Sequence, residues 1–210
     1  MKKLLTLVLA AGTLASFGAY ATAITGTGAP VSNAALVGGT VIDFESATPG
    51  DHATLTIGNV TFVGVDDPVR ISSDYSGNYN MSGYYLESGP YDSTMPYSMR
   101  FNFGTAVNAF AFNWGAADNV WLLSAYDASN NLLDSLALTA TSASNAGEYF
   151  GLAATGIAYA TLVDQSGDAG DWVMIDNFTT STGQVPEPAT IALLGLGLLG
   201  LAATRRRFTA

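Results

Sequence analysis

The chain contains no cysteine in its 210 residues. It therefore has no disulfide bond, no thiolate metal ligand and no cysteine nucleophile. Its stability must come from packing, which requires a domain large enough to bury a core of its own. Disulfide bonds are common in exported proteins but are not required there, so their absence does not constrain the compartment.

Histidine and lysine are almost as scarce. No lysine occurs between Ile24 and Gln184, which excludes a P-loop, a Schiff base and a lysine general base in this part of the chain. His52 is the only histidine, so a zinc site with several histidines is excluded. A Ser-His-Asp triad would have to use His52, yet the chain has no G-x-S-x-G element. The polar stretch around His52 predicts an exposed turn residue.

Charged side chains are few, and their distribution is one-sided. The segment from Ile24 to Gln184 holds sixteen of the seventeen acidic residues but only two basic ones, Arg70 and Arg100, which gives it a formal charge of −14. Such a surface repels the phosphates of nucleic acids and anionic lipids, so we expect no nucleic-acid partner. It attracts cations, and Ca²⁺ prefers carboxylate and carbonyl oxygens.

The first 23 residues have the three parts of a secretory signal peptide. Two lysines open the segment, an apolar run of twelve residues follows, and small residues ending in Ala21 and Ala23 close it. The A-x-A pattern predicts cleavage by signal peptidase after Ala23, so that the mature chain begins at Ile24. The alternative is a buried N-terminal helix, which leaves the order of charges and the small-residue ending unexplained.

The C-terminal end begins with an extended motif in a linker at 183–188. The motif is V-P-E-P, formed by Val185, Pro186, Glu187 and Pro188. Proline bars helix formation and keeps the preceding residue extended, so a processing enzyme can bind this stretch.

A short apolar segment and a basic cluster follow the motif. Residues 189–204 predict a transmembrane helix, although the apolar run at 189–203 covers only about 23 Å of a hydrocarbon core about 30 Å thick. Local thinning of the bilayer and entry of the flanking residues into the interface allow it to span. The tail at 205–210 begins with three arginines, Arg205, Arg206 and Arg207. By the positive-inside rule these stop transfer and keep the tail in the cytoplasm.

The V-P-E-P motif, the Gly/Leu-rich apolar stretch and the arginine cluster together resemble the PEP-CTERM sorting signal of Gram-negative bacteria. Pro186, Glu187 and Pro188 match that motif position by position. The resemblance implies that an exosortase, a membrane-embedded cysteine protease, removes the tail from a precursor anchored in the inner membrane. The protein then reaches the cell surface or is secreted, in association with exopolysaccharide and biofilm matrix. An ordinary C-terminal membrane anchor is the alternative.

Residues 40–182 predict one β-rich domain, which follows a flexible leader at 24–39 that is rich in small residues. The segment 100–114 alternates on either side of a Gly104-Thr105 break, and 120–126 with 132–138 form a predicted hairpin. Further candidate strands lie at 40–44, 53–65, 157–163 and 172–179. Without helical periodicity, this pattern predicts an all-β fold, an antiparallel β-sandwich of jelly-roll type, flanked by the signal helix and the short transmembrane helix.

The first and last predicted strands carry related motifs, I-D-F-E at 42–45 and I-D-N-F at 175–178. They resemble the terminal strands of jelly-roll, galactose-binding-like domains, which implies that the two strands lie side by side. In that arrangement Asp43, Glu45 and Asp176 converge with backbone carbonyls on a structural Ca²⁺. The alternative is that these carboxylates are solvated and bind no ligand. A second acidic segment, residues 164–171, lacks EF-hand spacing and predicts a hairpin loop.

The segment 74–97 carries six tyrosines among Ser, Gly, Asn and Pro residues. Tyrosine rings stack on sugar rings, and their hydroxyls bond to sugar hydroxyls. The sequence therefore predicts a glycan-contact loop whose contact residues are Tyr75, Tyr79, Tyr84 and Tyr85. The alternative is a long loop whose tyrosines pack back onto the sandwich.

Together these patterns predict an exported, non-enzymatic surface or matrix protein that is stabilised by calcium and binds polysaccharide. One alternative is a secreted glycoside hydrolase, because that chemistry needs only two suitably separated carboxylates. Glu45, Glu87 and Glu148 are the only glutamates between Ile24 and Gln184, and none lies in a recognisable catalytic pattern. A structural matrix protein without a ligand is the other alternative.

Overall fold

The computed structural model describes residues 22–65, 67–88, 97–167 and 171–183. The hydrophobic part of the expected signal peptide, the V-P-E-P motif, the expected transmembrane segment and the basic tail lie outside the described residues. Within the described ranges, no helix is long and apolar enough to cross a membrane.

The described residues form β-strands and a single short 3-10 turn at Pro30–Ser32. Valine, isoleucine, threonine and aromatic residues fill the strands, as is usual for pleated, half-buried elements. The strands in chain order are β1 (Thr22–Thr27), β2 (Thr40–Ile42), β3 (Gly50–His52), β4 (Thr54–Ile57), β5 (Val60–Gly64), β6 (Val69–Ser72), β7 (Tyr85–Ser88), β8 (Ser98–Gly115), β9 (Trp121–Tyr126), β10 (Leu132–Leu138), β11 (Glu148–Asp164) and β12 (Met174–Ser181).

The two long strands, β8 and β11, connect the halves of one antiparallel sheet. Their first and last portions pair with different neighbours, and the register between them shifts near Ile157. In one half the order is β4-β5-β8-β11-β9-β10. In the other it is β1-β11-β8-β12-β7-β6-β3, with β2 also paired to β12. The halves pack against each other as a β-sandwich.

Phenylalanine rings from both halves fill the core. Phe178 of β12 lies with its ring centroid 5.1 Å from those of Phe62 and Phe101, which belong to the opposite half. The same ring stacks on Phe112 at 5.7 Å. All four side chains are fully buried, so these contacts hold the two halves of the sheet together.

Three predictions about the sheet are confirmed. The fold is an antiparallel β-sandwich. The predicted hairpin forms, because β9 and β10 pair with Trp121 opposite Leu138. The first and last predicted strands lie side by side, with Ile42 of β2 opposite Phe178 of β12.

The segment at 24–39 is ordered structure and not the flexible leader that its composition predicts. β1 pairs with β11 along its whole length, and Ile24 and Leu36 are buried. Gly26 has a packing reason, because a Cβ there would overlap with the Tyr149 hydroxyl. The predicted signal-peptidase cut after Ala23 falls within β1, so a chain beginning at Ile24 keeps the part of the strand that carries the buried side chain.

Several strand boundaries also differ from those predicted. The run at 53–65 is two strands, β4 and β5, joined at Gly58, whose φ of 57° fits a turn. β8 continues through the expected break at Gly104. β3, β6 and β7 were not predicted, and His52 lies half-buried in β3, with its Nε2 2.8 Å from the Thr48 carbonyl oxygen.

Candidate functional site

The loop between β6 and β7 carries the tyrosines predicted to contact glycan. It closes through its own backbone: the N–H of Asn78 donates to the Tyr75 carbonyl at 2.9 Å, and the N–H of Met81 donates to the Asn78 carbonyl at 2.9 Å. Tyr79 and Asn80 adopt left-handed backbone conformations, with φ of 54° and 66°. This conformation is unusual for residues with side chains and shows a tightly specified turn.

Three half-buried rings meet at this loop and form what we call the aromatic cluster, Tyr75, Tyr79 and Trp172. The Tyr75 centroid is 5.6 Å from that of Tyr79 in an edge-to-face arrangement and 5.2 Å from that of Trp172. The rings pack on a buried floor of four residues, Met81, Tyr85, Ala116 and Met174. The cluster thus joins the β6–β7 loop to the segment that leads into β12.

Tyr85 was predicted to contact glycan, but its side chain is fully buried in that floor and offers no surface to a ligand. Its hydroxyl oxygen accepts a 3.0 Å hydrogen bond from the Tyr75 N–H and lies 3.4 Å from Ser72 Oγ. Tyr85 therefore positions Tyr75 from below. Tyr84, the last residue before β7, packs against the main core and lies outside the cluster.

Asn80 fixes the loop to the sandwich. Its Nδ2 donates to the Trp114 carbonyl at 2.7 Å and to Glu148 Oε2 at 2.8 Å, and its Oδ1 accepts from the Gly147 N–H at 2.7 Å. These bonds use every hydrogen-bonding atom of the amide group. The cluster is consequently held on a rigid support.

Two of the three carboxylates predicted to bind calcium hold this loop. Asp176 is buried, and its Oδ2 accepts from both the N–H and the hydroxyl of Ser82, at 3.0 and 3.1 Å. Glu45 Oε1 accepts from the Tyr84 N–H at 3.0 Å, and Asp43 is exposed. Burial raises the pKa of Asp176 to about 6; the hydrogen bonds from Ser82 oppose this rise, and the nearby charge of Glu45 adds to it.

Among the described residues, no group of three or more acidic or histidine side chains is arranged to hold a metal ion. Asp176 and Glu45 already accept the N–H groups that fix the loop. Calcium binding by Asp43, Glu45 and Asp176 stays a prediction.

The acidic segment 164–171 leads towards Trp172, and its last residue has a clear structural role. Asp171 is buried and accepts hydrogen bonds from the N–H groups of Asp118 and Asn119, both at 3.0 Å. It also accepts from Trp121 Nε1 at 2.8 Å. This carboxylate pins the chain immediately before Trp172, which helps to fix the third ring of the cluster.

Glu87 on β7 has a raised pKa. It is 3% exposed, and its Oε1 lies 3.3 Å from Arg70 Nε. Burial raises the pKa of Glu87 to about 7, the charge of Arg70 opposes that rise, and Asp74 and Asp51 add to it. A general acid needs such a pKa, but it must also reach substrate. Because this carboxyl group is buried beside an arginine within the sheet, we expect it to affect the stability of the fold.

The sequence predicted two of the three cluster residues and missed Trp172. That residue was assigned to a strand, and its contact with Tyr75 joins segments that are far apart in the chain. A tryptophan directly after an Asp/Gly-rich loop was the available signal, since half-exposed tryptophan beside a loop is common at binding sites.

Comparison with known protein families identifies a sorting motif in the C-terminal tail. Residues 184–207 match the family model of the PEP-CTERM protein-sorting motif, so the resemblance stated from the V-P-E-P motif is confirmed. The motif indicates an exported protein. No curated protein matches the sequence.

Solved structures resemble the β-sandwich. The cleaved adhesin domain of Lys-gingipain is 8% identical over 68% of this chain and 99% of that domain, with a TM-score of 0.50, which supports the fold. A family 29 carbohydrate-binding module is 13% identical over 69% of this chain and 91% of its own, with a TM-score of 0.42. A module solved with beta-1,4-galactotriose is 15% identical over 66% and 92%, with a TM-score of 0.36. The last two similarities are too distant to carry an argument about this chain.

Proposed function

We propose that this chain is an exported, non-enzymatic protein of the cell surface or extracellular matrix that binds polysaccharide through the aromatic cluster. The observation that carries the binding proposal is the set of three half-buried rings held over a buried floor. The delivery proposal rests on the sorting motif at 184–207. Signal peptidase acts at one end, and an exosortase removes the tail at the other.

The composition of the cluster suits a sugar ligand. Sugar rings bind where flat apolar faces lie beside hydrogen-bonding groups. Tyr75 and Tyr79 offer both ring faces and hydroxyls, and Ser76 and Asn78 are exposed on the same loop. The loop therefore combines stacking surfaces with polar groups in one place.

Rigidity of the loop favours useful affinity. A ligand that meets an ordered surface loses less free energy to loop ordering than one that must fold the loop first. Here Asn80 and Ser82 tie the loop to the sandwich through bonds of 2.7 to 3.1 Å. The rings are thus prepared for contact before a ligand arrives.

Charge favours a neutral polysaccharide at this cluster. Asp74 is exposed next to Tyr75, and the domain as a whole carries a formal charge of −14. A polyanion would be repelled by both. We therefore expect neutral polysaccharides to bind at the cluster and added salt to change that binding little.

Substitution of the cluster rings tests the binding proposal. We expect Tyr75→Ala and Trp172→Ala each to weaken binding of neutral polysaccharide about tenfold, because each removes a stacking surface worth about 1–1.5 kcal/mol. The effect is measured by affinity electrophoresis in gels that each contain one of a panel of neutral polysaccharides. The sample is the full chain, dissolved in a detergent that has no sugar headgroup.

Tyr84→Ala is the matched control, since it removes a tyrosine of the same loop that lies outside the cluster. Its binding should equal that of the unchanged protein. Retardation by no neutral polysaccharide at all, or equal loss in Tyr84→Ala and Tyr75→Ala, would contradict the proposal.

Replacing the motif tests the delivery proposal. In a bacterium that has an exosortase, the unchanged protein should lose its tail and leave the membrane fraction, whereas a variant with alanines at positions 186–188 should stay full-length in the membrane. Immunoblots of cell fractions and intact mass measure both results. Thr182→Ala, just before the motif, is the control and should be processed normally. Normal processing of the triple variant would refute the role of the motif.

A further inference from the structure

A second surface with binding chemistry lies on the outer face of the other half of the sheet. Along β8, Met99 and Phe101 point into the core, so Arg100 and Asn102 face the opposite side. The strand register places Tyr159 of β11 opposite Asn102. This face is formed by β5, β8, β11 and β9, away from the β6–β7 loop that carries the aromatic cluster.

Three side chains on this face form a stack, Arg100, Tyr159 and Tyr126. The guanidinium carbon of Arg100 lies 3.7 Å from the centroid of the Tyr159 ring. Tyr126 of β9, directly opposite Tyr159 in the register, stacks on it with centroids 4.8 Å apart and ring planes 10° from parallel. All three side chains are half-buried and none is covered by the core.

Hydrogen bonds fix the stack in place. Arg100 Nε donates to Asn102 Oδ1 at 2.7 Å, and the Tyr159 hydroxyl donates to Asn130 Oδ1 at 3.2 Å. The orientation of the guanidinium plane is set by the ring on one side and the amide on its edge. Within the described part of the chain, Asn102 is the one acceptor bonded to Arg100. The N–H groups on the two terminal nitrogens of Arg100 are therefore available to a ligand.

The charge of Arg100 has no carboxylate partner among the described residues. Both ion pairs found there involve the other arginine, Arg70. The positions paired with Arg100 across the neighbouring strands are Val63 and Thr161, which are uncharged. In a domain with a formal charge of −14, an arginine held in a fixed position without an acidic partner needs an explanation.

We propose that the stack is a second ligand site and that it takes a carboxylate-bearing sugar. A planar guanidinium binds a carboxylate through two parallel N–H donors, which gives both orientation and strength. Arg100 holds the carboxylate of the sugar, and the hydroxyls of Thr161 and Tyr126 lie on the same face for the neighbouring sugar hydroxyls. This inference goes beyond the proposed function and does not depend on the aromatic cluster.

Long-range charge refines the class of ligand. The domain repels a polymer in which every sugar is ionised, whereas a single carboxylate is attracted by Arg100 at short range. The site therefore favours a polysaccharide in which acidic sugars are separated by neutral ones. Screening by salt at about 0.15 M, where the Debye length is about 8 Å, reduces the repulsion from distant acids more than the contact at Arg100.

A matched pair of probes tests the proposal on the full chain. One probe is a tetrasaccharide of three neutral sugars and one glucuronate. The other is the same tetrasaccharide with the glucuronate carboxylate converted to its methyl ester. Titration is followed by NMR through the backbone amide signal of Thr161, which lies opposite Arg100 and is retained in every variant. We expect the acid to bind about tenfold more tightly than the ester, and Arg100→Gln to bind both probes as weakly as the unchanged protein binds the ester.

Two further variants separate this site from the cluster. Thr56→Ala, at the far end of the same sheet half, should bind the acid normally and controls for a general effect on that face. Tyr75→Ala should also bind it normally, so failure of the cluster proposal leaves this result unaffected. The proposal is overturned if the ester binds as tightly as the acid, or if Arg100→Gln retains full affinity for the acid in folded protein.

Discussion

Replacing Phe178 by alanine is expected to destabilise the fold by about 3–5 kcal/mol, since removal of a fully buried ring loses its transfer free energy and leaves a cavity. The Phe178 ring contacts Phe62 and Phe101 from one half of the sheet and Phe112 from the other. Single domains are stable by only about 5–15 kcal/mol, so this one change removes a large share of the total.

Urea unfolding followed by tryptophan fluorescence measures the loss, because Trp114 and Trp121 are fully buried and report on the core. Phe150→Ala is the matched control. It removes the same atoms from a ring that is only partly buried against the core, so we expect less than half the effect. A loss in Phe178→Ala no larger than that in Phe150→Ala would show that the two sheet halves are not held together at this ring.

The long strand β8 was predictable because the burial of its residues alternates along the sequence. Its apolar residues alternate with polar ones, with Phe101 facing the core and Arg100 facing outwards, and that period of two is specific to a strand. The pairing of β2 with β12 was also predicted, through the resemblance of the I-D-F-E and I-D-N-F motifs to the terminal strands of galactose-binding-like domains. The alternation in β8 is a local pattern, whereas the β2–β12 pairing was expected only from that resemblance.

β1 was missed because one of its small residues, Gly26, is there for a reason outside its own sequence. Gly26 contacts the Tyr149 ring of β11 so closely that any larger residue would overlap with it. In isolation a run of Gly, Ala and Thr predicts a leader. Only the position of the partner strand shows that the run fits against an aromatic surface.

The candidate site was predicted in part for the same reason. Composition identified the tyrosine-rich loop, but Tyr75 and Tyr85 differ in burial because one lies in the loop and the other begins β7. Trp172 joins the cluster through a contact between distant segments. Likewise, Asp176 could be placed beside β2 from sequence, but its hydrogen bonds to Ser82 depend on how the β6–β7 loop folds back.

Raising the pH from 5 to 8 is expected to reduce stability through Glu87. Burial raises the pKa of this carboxyl group from 4.5 to about 7, so the folded state binds its proton more tightly than the unfolded state. The resulting stabilisation is complete below the unfolded pKa and is lost as the pH rises through the folded pKa. Over this interval the loss from this one group is about 1–3 kcal/mol.

Glu87→Gln isolates this contribution, because glutamine resembles the protonated acid and does not titrate. Relative to the unchanged protein, the variant should be about equally stable at pH 5 and more stable at pH 8, as measured by urea unfolding at both values. Titration of every other group cancels in this comparison.

Glu148→Gln is the control: burial acts to raise the pKa of Glu148, but hydrogen bonds from Ser144 and Asn80 outweigh it and lower that pKa. Glu148 is therefore mostly ionised in both states at pH 5 and more fully at pH 8, so the control's stability difference should change little. If the Glu87→Gln difference is equally constant, Glu87 is ionised in the folded protein at pH 5, and its ion pair with Arg70 outweighs burial.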